Sequence, residues 1–271
     1  MKTAINQWAF PSTMPAAEAI TRAHRHGFQA IELCVDEASL VRLDSSEADV
    51  TALRKHADKL GIDISSVACG LGWKYPMSSL DSTVREQGKK VTARALQIAA
   101  WLGAGSLLVV PGNIDAQTPY DTGLENALSA VRDLVPEAER LKVSVAIENV
   151  WNKFLLSPIE MRDFIDHCES EYVGAYFDTG NILVCGFPEQ WIRILGRRIR
   201  SIHAKDFRNI VGNIQGFVML MEGDVNWPEV VSALKDAGYD GALVAEFGPY
   251  AHSLDVMLTH VHASLSAIVS M

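Results

Sequence analysis

The chain has 271 residues, 48% of them hydrophobic, and 24 Lys and Arg against 33 Asp and Glu give a formal net charge of −9. Length and apolar content suit one large α/β domain over residues 1–271. The acid excess argues against nucleic acid as a partner, because phosphate backbones are bound by basic surfaces; a small anionic substrate held by one or two local cations stays open. The opening MKTAINQWAF has one lysine and no apolar core, so no secretory signal is expected. No apolar run approaches the ~20 residues that a membrane span needs. Cys34, Cys69, Cys168 and Cys185 form no CxxC pair, which sets aside zinc-ribbon and thioredoxin readings and suits reduced thiols in a cytoplasmic enzyme.

In chain order, strand-like runs at 3–8, 30–35, 63–69, 105–110, 143–148, 173–178, 199–204 and 241–246 alternate with helix-like runs. The helices are expected at 15–26, 47–60, 82–102, 121–141, 158–169, 188–196, 226–237 and 252–270, with Pro15 in the first turn of the first. Most strands are apolar on both faces, as in a parallel sheet covered by helices. Helix-Gly-x-x-strand junctions recur at HGFQAIEL, LGIDISSV, LGAGSLLV and AGYDGALV, and Ser157-Pro158-Ile159-Glu160 has the form of a capping box. Eight alternating units favour a closed (β/α)8 TIM barrel over an open doubly wound sheet, which would bring a Gly-rich phosphate loop that is absent here. The longest excursions, 70–81 and 206–225, follow the third and seventh strands, on the face where barrels build active sites.

Glu148, Asp178, His203 and Glu246 each end a strand-like run, at VSVAIE, VGAYFD, IRSIH and ALVAE. Their spacings of 30, 25 and 43 residues match successive barrel units, so the four side chains are expected to converge. Taken singly, each has a bland reading as a cap partner, turn residue or core histidine. Together, three carboxylates and an imidazole at one point call for a divalent metal, since unpaired acids that close would repel. Oxygen and imidazole ligands without sulfur suit Mn²⁺, Mg²⁺, Co²⁺ or Zn²⁺. Vicinal carbonyl and hydroxyl oxygens of a ketose could complete such a site. Glu148 and Glu246 are the candidates for proton transfer: inversion through an enediolate if they face opposite sides of the bound carbon, aldose–ketose isomerisation if one base serves neighbouring carbons.

Lys205, two residues after His203, points to the same side of its strand as a cation for a substrate oxygen or phosphate, or as the partner of a buried acid. Asp206 is expected to cap the next segment or orient His203. Arg208 is available for a phosphate in the 206–225 loop, or is a solvated charge. Trp8, Trp73 and Trp151 lie at or just past strand ends, where they could pack on a sugar or shield the mouth. His24, His26, His260 and His262 fall on outer helices and read as surface or packing residues.

AIEN at Glu148, YFDTGN at Asp178, HAKDF at His203, EGDVNWPEVVSALKDAGYDG at 222–241 and VAEF at Glu246 resemble the sugar isomerase/epimerase superfamily of xylose-isomerase-like TIM barrels. The resemblance covers essentially the whole chain. It is nearest to D-tagatose/D-psicose 3-epimerase-like and L-ribulose/L-xylulose-5-phosphate 3-epimerase-like enzymes. It implies Mn²⁺ held by Glu148, Asp178, His203 and Glu246, the two glutamates as the acid/base pair, a sugar or sugar phosphate as substrate, and dimers or tetramers through outer helices. Glu32, in AIEL, matches a second-strand acid of the superfamily that is structural or substrate-binding. Asn181 stands where many free-ketose enzymes have His, which tilts the expectation towards a phosphorylated substrate. The competing readings are an inosose- or dehydroshikimate-dehydratase-like lyase on the same site and, remotely, an endonuclease IV-like repair enzyme, which would need more metal ligands and a basic surface.

Overall fold

In the computed structural model, which describes residues 1–37 and 41–271, eight parallel strands pair in sequence order and the last pairs with the first. They are β1 Lys2–Asn6, β2 Ala30–Asp36, β3 Asp63–Cys69, β4 Ser106–Val109, β5 Ser144–Glu148, β6 Val173–Asp178, β7 Ile199–Ala204 and β8 Ala242–Ala245. Around them run α1 Ala16–Arg25, α2 Glu47–Leu60, α3 Ser82–Leu102, α4 Tyr120–Leu141, α5 Pro158–Asp166, α6 Pro188–Leu195, α7 Trp227–Asp236 and α8 Leu254–Val269. This is the expected closed (β/α)8 barrel. No described helix is long and apolar enough to cross a membrane.

The elements form for local reasons. α1 buries Ala16, Ala19, Ile20 and Ala23, the spacing of one helix face. α2 and α3 end at Gly61 and Gly103, whose φ of +75° and +77° is the left-handed cap that a side chain resists. Ser157 caps α5 by accepting from the Glu160 amide, with Pro158 in the first turn. Glu160 reaches back to the Leu156 amide, one residue before the cap, and also accepts from the Tyr120 hydroxyl.

Several boundaries differ from the sequence expectation. β1 stops at Asn6 because its side chain accepts from the Trp8 amide and turns the chain into a 3₁₀ turn, Gln7–Ala9. Pro15 is the residue before α1, one place earlier than expected. α5 ends at Asp166, with Glu169 at φ +54° turning the chain towards β6. α4 runs through Pro136, which cannot donate to the Arg132 carbonyl.

Strand residues facing outwards pack on the helices. Those facing inwards fill the barrel in layers: Ala4, Ala30, Ala242 and Val244 in one cluster, and Cys34, Ala68, Leu108, Val110, Ala146 and Tyr176 in another. Polar side chains also reach the interior, where Ser106 and Ser201 hydrogen-bond at 2.7 Å. On the outside, His26 pairs with Asp255 at 3.1 Å and His262 packs edge-on against Phe28, so both histidines serve the helical layer.

The 206–225 excursion is built on Asp206. This buried carboxylate accepts from the amides of Phe207, Met221 and Val225 and from the Trp227 indole, at 2.9–3.2 Å. It therefore caps and gathers the loop; none of these bonds goes to His203. A short antiparallel ribbon, Asp206–Phe207 with Phe217–Val218, carries the loop out and back. Replacing Asp206 with Ala leaves several of these donors unpaired, each worth about 1–3 kcal/mol. Asp206→Ala is expected to lower stability by ~2–4 kcal/mol in urea unfolding and to speed hydrogen exchange across 208–224; unchanged exchange there would refute the anchoring role.

Candidate metal centre

Strand register brings the four predicted residues together. Asp178 lies directly opposite His203, Glu148 opposite Tyr176, and Val244 opposite His203, so Glu246 emerges just past the end of β8. One donor atom from each of Glu148, Asp178, His203 and Glu246 lies within 4.8 Å of all the others. Glu148, Asp178 and His203 are buried and Glu246 is partly open.

Each side chain is aimed by a second contact. Asp178 begins a single helical turn, Thr179–Ile182, and its Oδ1 accepts from the Asn181 amide at 2.8 Å, which leaves Oδ2 for the ring. The Asn149 side chain clasps the Asp178 backbone from both sides, donating to its carbonyl and accepting from its amide, at 2.9 Å each. His203 Nε2 meets Glu32 Oε1 at 2.7 Å. Its Nδ1 faces Glu148 Oε1 at 3.1 Å, Glu246 Oε2 at 2.7 Å and Asp178 Oδ2 at 3.9 Å. A proton on Nε2, donated to Glu32, presents the Nδ1 lone pair to the ring, the arrangement that a metal-binding imidazole needs. Glu32 is fully buried and also accepts from the Asn6 amide group and the hydroxyls of Ser66 and Tyr176.

Lys205 enters from the open side, its ammonium 3.1 Å from Asp178 Oδ2, 3.0 Å from Glu246 Oε2 and 5.3 Å from the centre of the Phe217 ring. The surroundings split the two glutamates. Burial pushes Glu148 up to about 7. Burial also acts upward on Glu246, but the positive charges of His203 and Lys205 outweigh it and hold the group at about 2. Burial raises Asp178, while the same acids raise Lys205 and His203 against their own desolvation. Asp178 Oδ2 and Glu246 Oε2 are buried without a well-directed hydrogen bond. Unshared carboxylate lone pairs converging with an imidazole nitrogen fit a divalent cation in geometry and in donor chemistry.

The remaining predicted residues divide. Lys205 and Trp8 line a cavity of about 650 Å³, and Glu246 of the ring is part of the same lining. Glu32 lies beneath the ring, against His203. Asn181 is buried: its side-chain amide donates to the Asn149 carbonyl at 2.9 Å and its own carbonyl accepts from the Trp151 indole at 2.8 Å. Trp151 packs on Phe207 and Phe217 and borders a separate hollow of about 300 Å³. Trp73 sits half exposed in a 3₁₀ turn after β3, outside the lining of the larger cavity. Arg208 is exposed and donates to the Glu222 carbonyl at 3.1 Å. Sequence reasoning assigned no role to Asn149, Tyr176, Ser66 or Asn6. The available signals were the Asn directly after Glu148 and a tyrosine hydroxyl inside an otherwise apolar strand.

The xylose isomerase-like TIM barrel family matches residues 20–260. A protein of Escherichia coli (strain K12) provisionally named L-ribulose-5-phosphate 3-epimerase SgbU is 26% identical over 84% of this chain and 82% of its own length. L-ribulose-5-phosphate 3-epimerase UlaE of Salmonella heidelberg is 24% identical over 88% and 85%. Among solved structures, a D-psicose 3-epimerase in the presence of D-fructose superposes with a TM-score of 0.84 at 18% identity, over 100% of both chains. The IOLI protein with a binding zinc atom gives 0.82 at 15% identity, over 100% of this chain and 98% of that one.

Two outcomes follow from the ring. A carboxylate must lose its proton to ligate, and burial holds Glu148 up to about 7. Affinity for Mn²⁺ should therefore weaken as pH falls through 7, by up to about tenfold per pH unit for Glu148 alone, with the raised His203, which must give up its Nδ1 proton, adding to the dependence. In the metal-free protein the raised Glu148 favours the fold at low pH, a contribution lost as pH rises through about 7, so metal should stabilise most above that point. Calorimetric titration across this range, with melting curves, checks both; a flat affinity would remove Glu148 from the ligand set. Second, Glu32→Gln weakens the acceptor for the His203 Nε2 proton and is expected to cost about 10–100-fold in Mn²⁺ affinity with the fold retained by circular dichroism.

Proposed function

We propose that this chain, which belongs to the xylose isomerase-like TIM barrel family, is a divalent-metal-dependent epimerase or isomerase of a ketose or ketose phosphate. The observation that carries the reading is the ring of Glu148, Asp178, His203 and Glu246, opening onto a cavity of a size to hold a sugar. The names of the curated relatives and the barrel shared with ketose 3-epimerases point the same way.

A bound divalent cation, Mn²⁺ in this reading with Mg²⁺, Co²⁺ or Zn²⁺ as alternatives, supplies a Lewis acid that polarises the ketose carbonyl and acidifies the adjacent C–H. The protein's own side chains do the rest. Glu246, which faces the cavity, removes the proton in one direction, and Glu148 returns one from the other side of the carbon, inverting it; in reverse the roles exchange. Lys205 holds a substrate oxygen and adds positive charge where the oxygen becomes negative. Trp8 lies against the apolar face of the sugar. Glu32 from beneath and Asn181 from the turn after β6 fix His203 and Asp178 rather than touching substrate. One barrel over residues 1–271 carries the whole site.

The test is proton NMR in D₂O of the chelated and then Mn²⁺-reconstituted enzyme with a panel of ketoses and ketose phosphates. Metal-dependent deuterium uptake at C3 with inversion is the outcome expected of an epimerase; uptake at C1 or C2 with an aldose product identifies an isomerase. Loss of water to a conjugated product would replace the reading with a dehydratase. Glu148→Gln and Glu246→Gln should each slow exchange by about 10²–10⁴-fold with unchanged circular dichroism. Wild-type exchange in Glu246→Gln would sink the acid/base assignment.

A further inference from the structure

A second cavity opens on the side of β1 and β2. It measures about 480 Å³, and Gln7, Trp8, Phe10, Cys34, Asp36 and Pro249 are among its lining. Trp8 lines both this cavity and the larger one, so the two meet at its indole. Cys34 stands two residues after Glu32 on β2 and faces the barrel interior one layer nearer the mouth. Its sulfur lies 3.6 Å from Asn6 Oδ1, and the other end of that carboxamide donates to Glu32. Burial pushes the Cys34 thiol well up, and the charges of Glu32 and Glu246 raise it further, so this wall of the cavity adjoins the ring.

Gln7 is the fixed polar group of this cavity. It is buried, in a 3₁₀ turn held by the Asn6 side chain on the Trp8 amide at 2.6 Å and by the Phe10 amide on the Gln7 carbonyl at 3.0 Å. Its side-chain oxygen accepts from the Cys34 amide at 2.8 Å. A backbone amide can only donate, so this bond settles which end of the carboxamide is oxygen, and planarity then fixes the direction of Nε2. Nε2 carries two N–H donors, and among the described residues it has no hydrogen-bond partner. Unlike Asp178 Oδ2 and Glu246 Oε2, it is not sealed from solvent, so its donors open into the cavity that Gln7 lines.

We infer that Gln7 is a substrate-binding residue, its carboxamide donating to a hydroxyl oxygen of the ketose in this second cavity while the Cys34 amide holds it in place. A ketose gripped at neighbouring oxygens in mid-chain has two arms, and the two cavities that meet at Trp8 take one each. A donor already fixed by a backbone bond loses little freedom on binding, and a neutral one suits an uncharged hydroxyl. A buried donor without an acceptor is costly, and a ligand oxygen supplies the acceptor. The inference rests on the proposed reading of the ring as the site of a ketose.

Binding is measured apart from turnover, so that the two proposals fail separately. Ribitol and xylitol, which have no carbonyl and cannot react, are titrated calorimetrically into the Mg²⁺-loaded protein, and their contacts are read by NMR. The Gln7 side-chain NH2 pair is assigned by its absence from the spectrum of Gln7→Glu, which keeps an acceptor for the Cys34 amide. Nuclear Overhauser contacts from that pair to the C–H protons of the bound polyol are expected in wild type. Gln7→Met should bind the polyol about three- to tenfold more weakly with Mg²⁺ affinity unchanged. A bound polyol without such contacts, undiminished affinity in Gln7→Met, or no binding of either polyol by wild type each overturns the inference. Polyol bound away from Gln7 leaves the reading of the ring intact. Absent deuterium exchange with every ketose would instead sink the epimerase reading, and the contacts at Gln7 would still decide this one.

Discussion

The bond between Glu32 and His203, inside the barrel, is the contact on which the site depends. It lies beneath three acids that the fold forces together, and it settles which imidazole nitrogen faces them. Buried Glu32 is met by four partners from four strands: Asn6, Ser66, Tyr176 and His203. Remove one side of such a pair and a buried charge is left uncompensated, which is more costly than replacing both. The barrel interior beneath the ring is thus a polar network rather than a filler layer, and the four side chains of the ring stand on it.

Above the ring the balance is different. Glu148, Asp178 and Glu246 meet one ammonium, from Lys205, and one imidazole. Asp178 Oδ2 and Glu246 Oε2 lie near the ammonium yet accept no well-directed hydrogen bond. Buried acceptors left without directed partners at one point, amid a satisfied network, are what the proposed divalent cation would neutralise.

The barrel and its ring were legible because both follow from one-dimensional signals. Apolar runs of strand length, glycine stops such as Gly61 and Gly103, and a charged residue at the end of four successive runs survive without knowledge of the packing. What was not legible depends on direction and distance. Asn181 reads as a substrate contact by its position after Asp178; that its amide also donates to a residue 32 positions earlier is invisible in the sequence. Arg208 reads as a phosphate ligand or a solvated charge; the bond of its Nε to a carbonyl 14 residues on is not announced by any pattern. Glu32 binds a histidine 171 residues away, a separation at which no sequence pattern reports a contact. Asp206 was ambiguous between two roles, and only the four donors around it decide between them.

The arrangement of the 206–225 loop has a consequence for how such a scaffold can diversify. Its root is clamped: Asp206, Gly223 and Trp227 interlock so closely that a single added methyl at Gly223 would collide. Its tip is not: Ile210 projects almost bare into solvent, and Ile214, largely exposed, reaches the rim of the cavity. Insertions and exchanges at the tip can therefore accumulate without disturbing the geometry of the ring. New substrate ranges are reached by varying a short outer stretch of chain, while the residues that hold it to the barrel stay fixed.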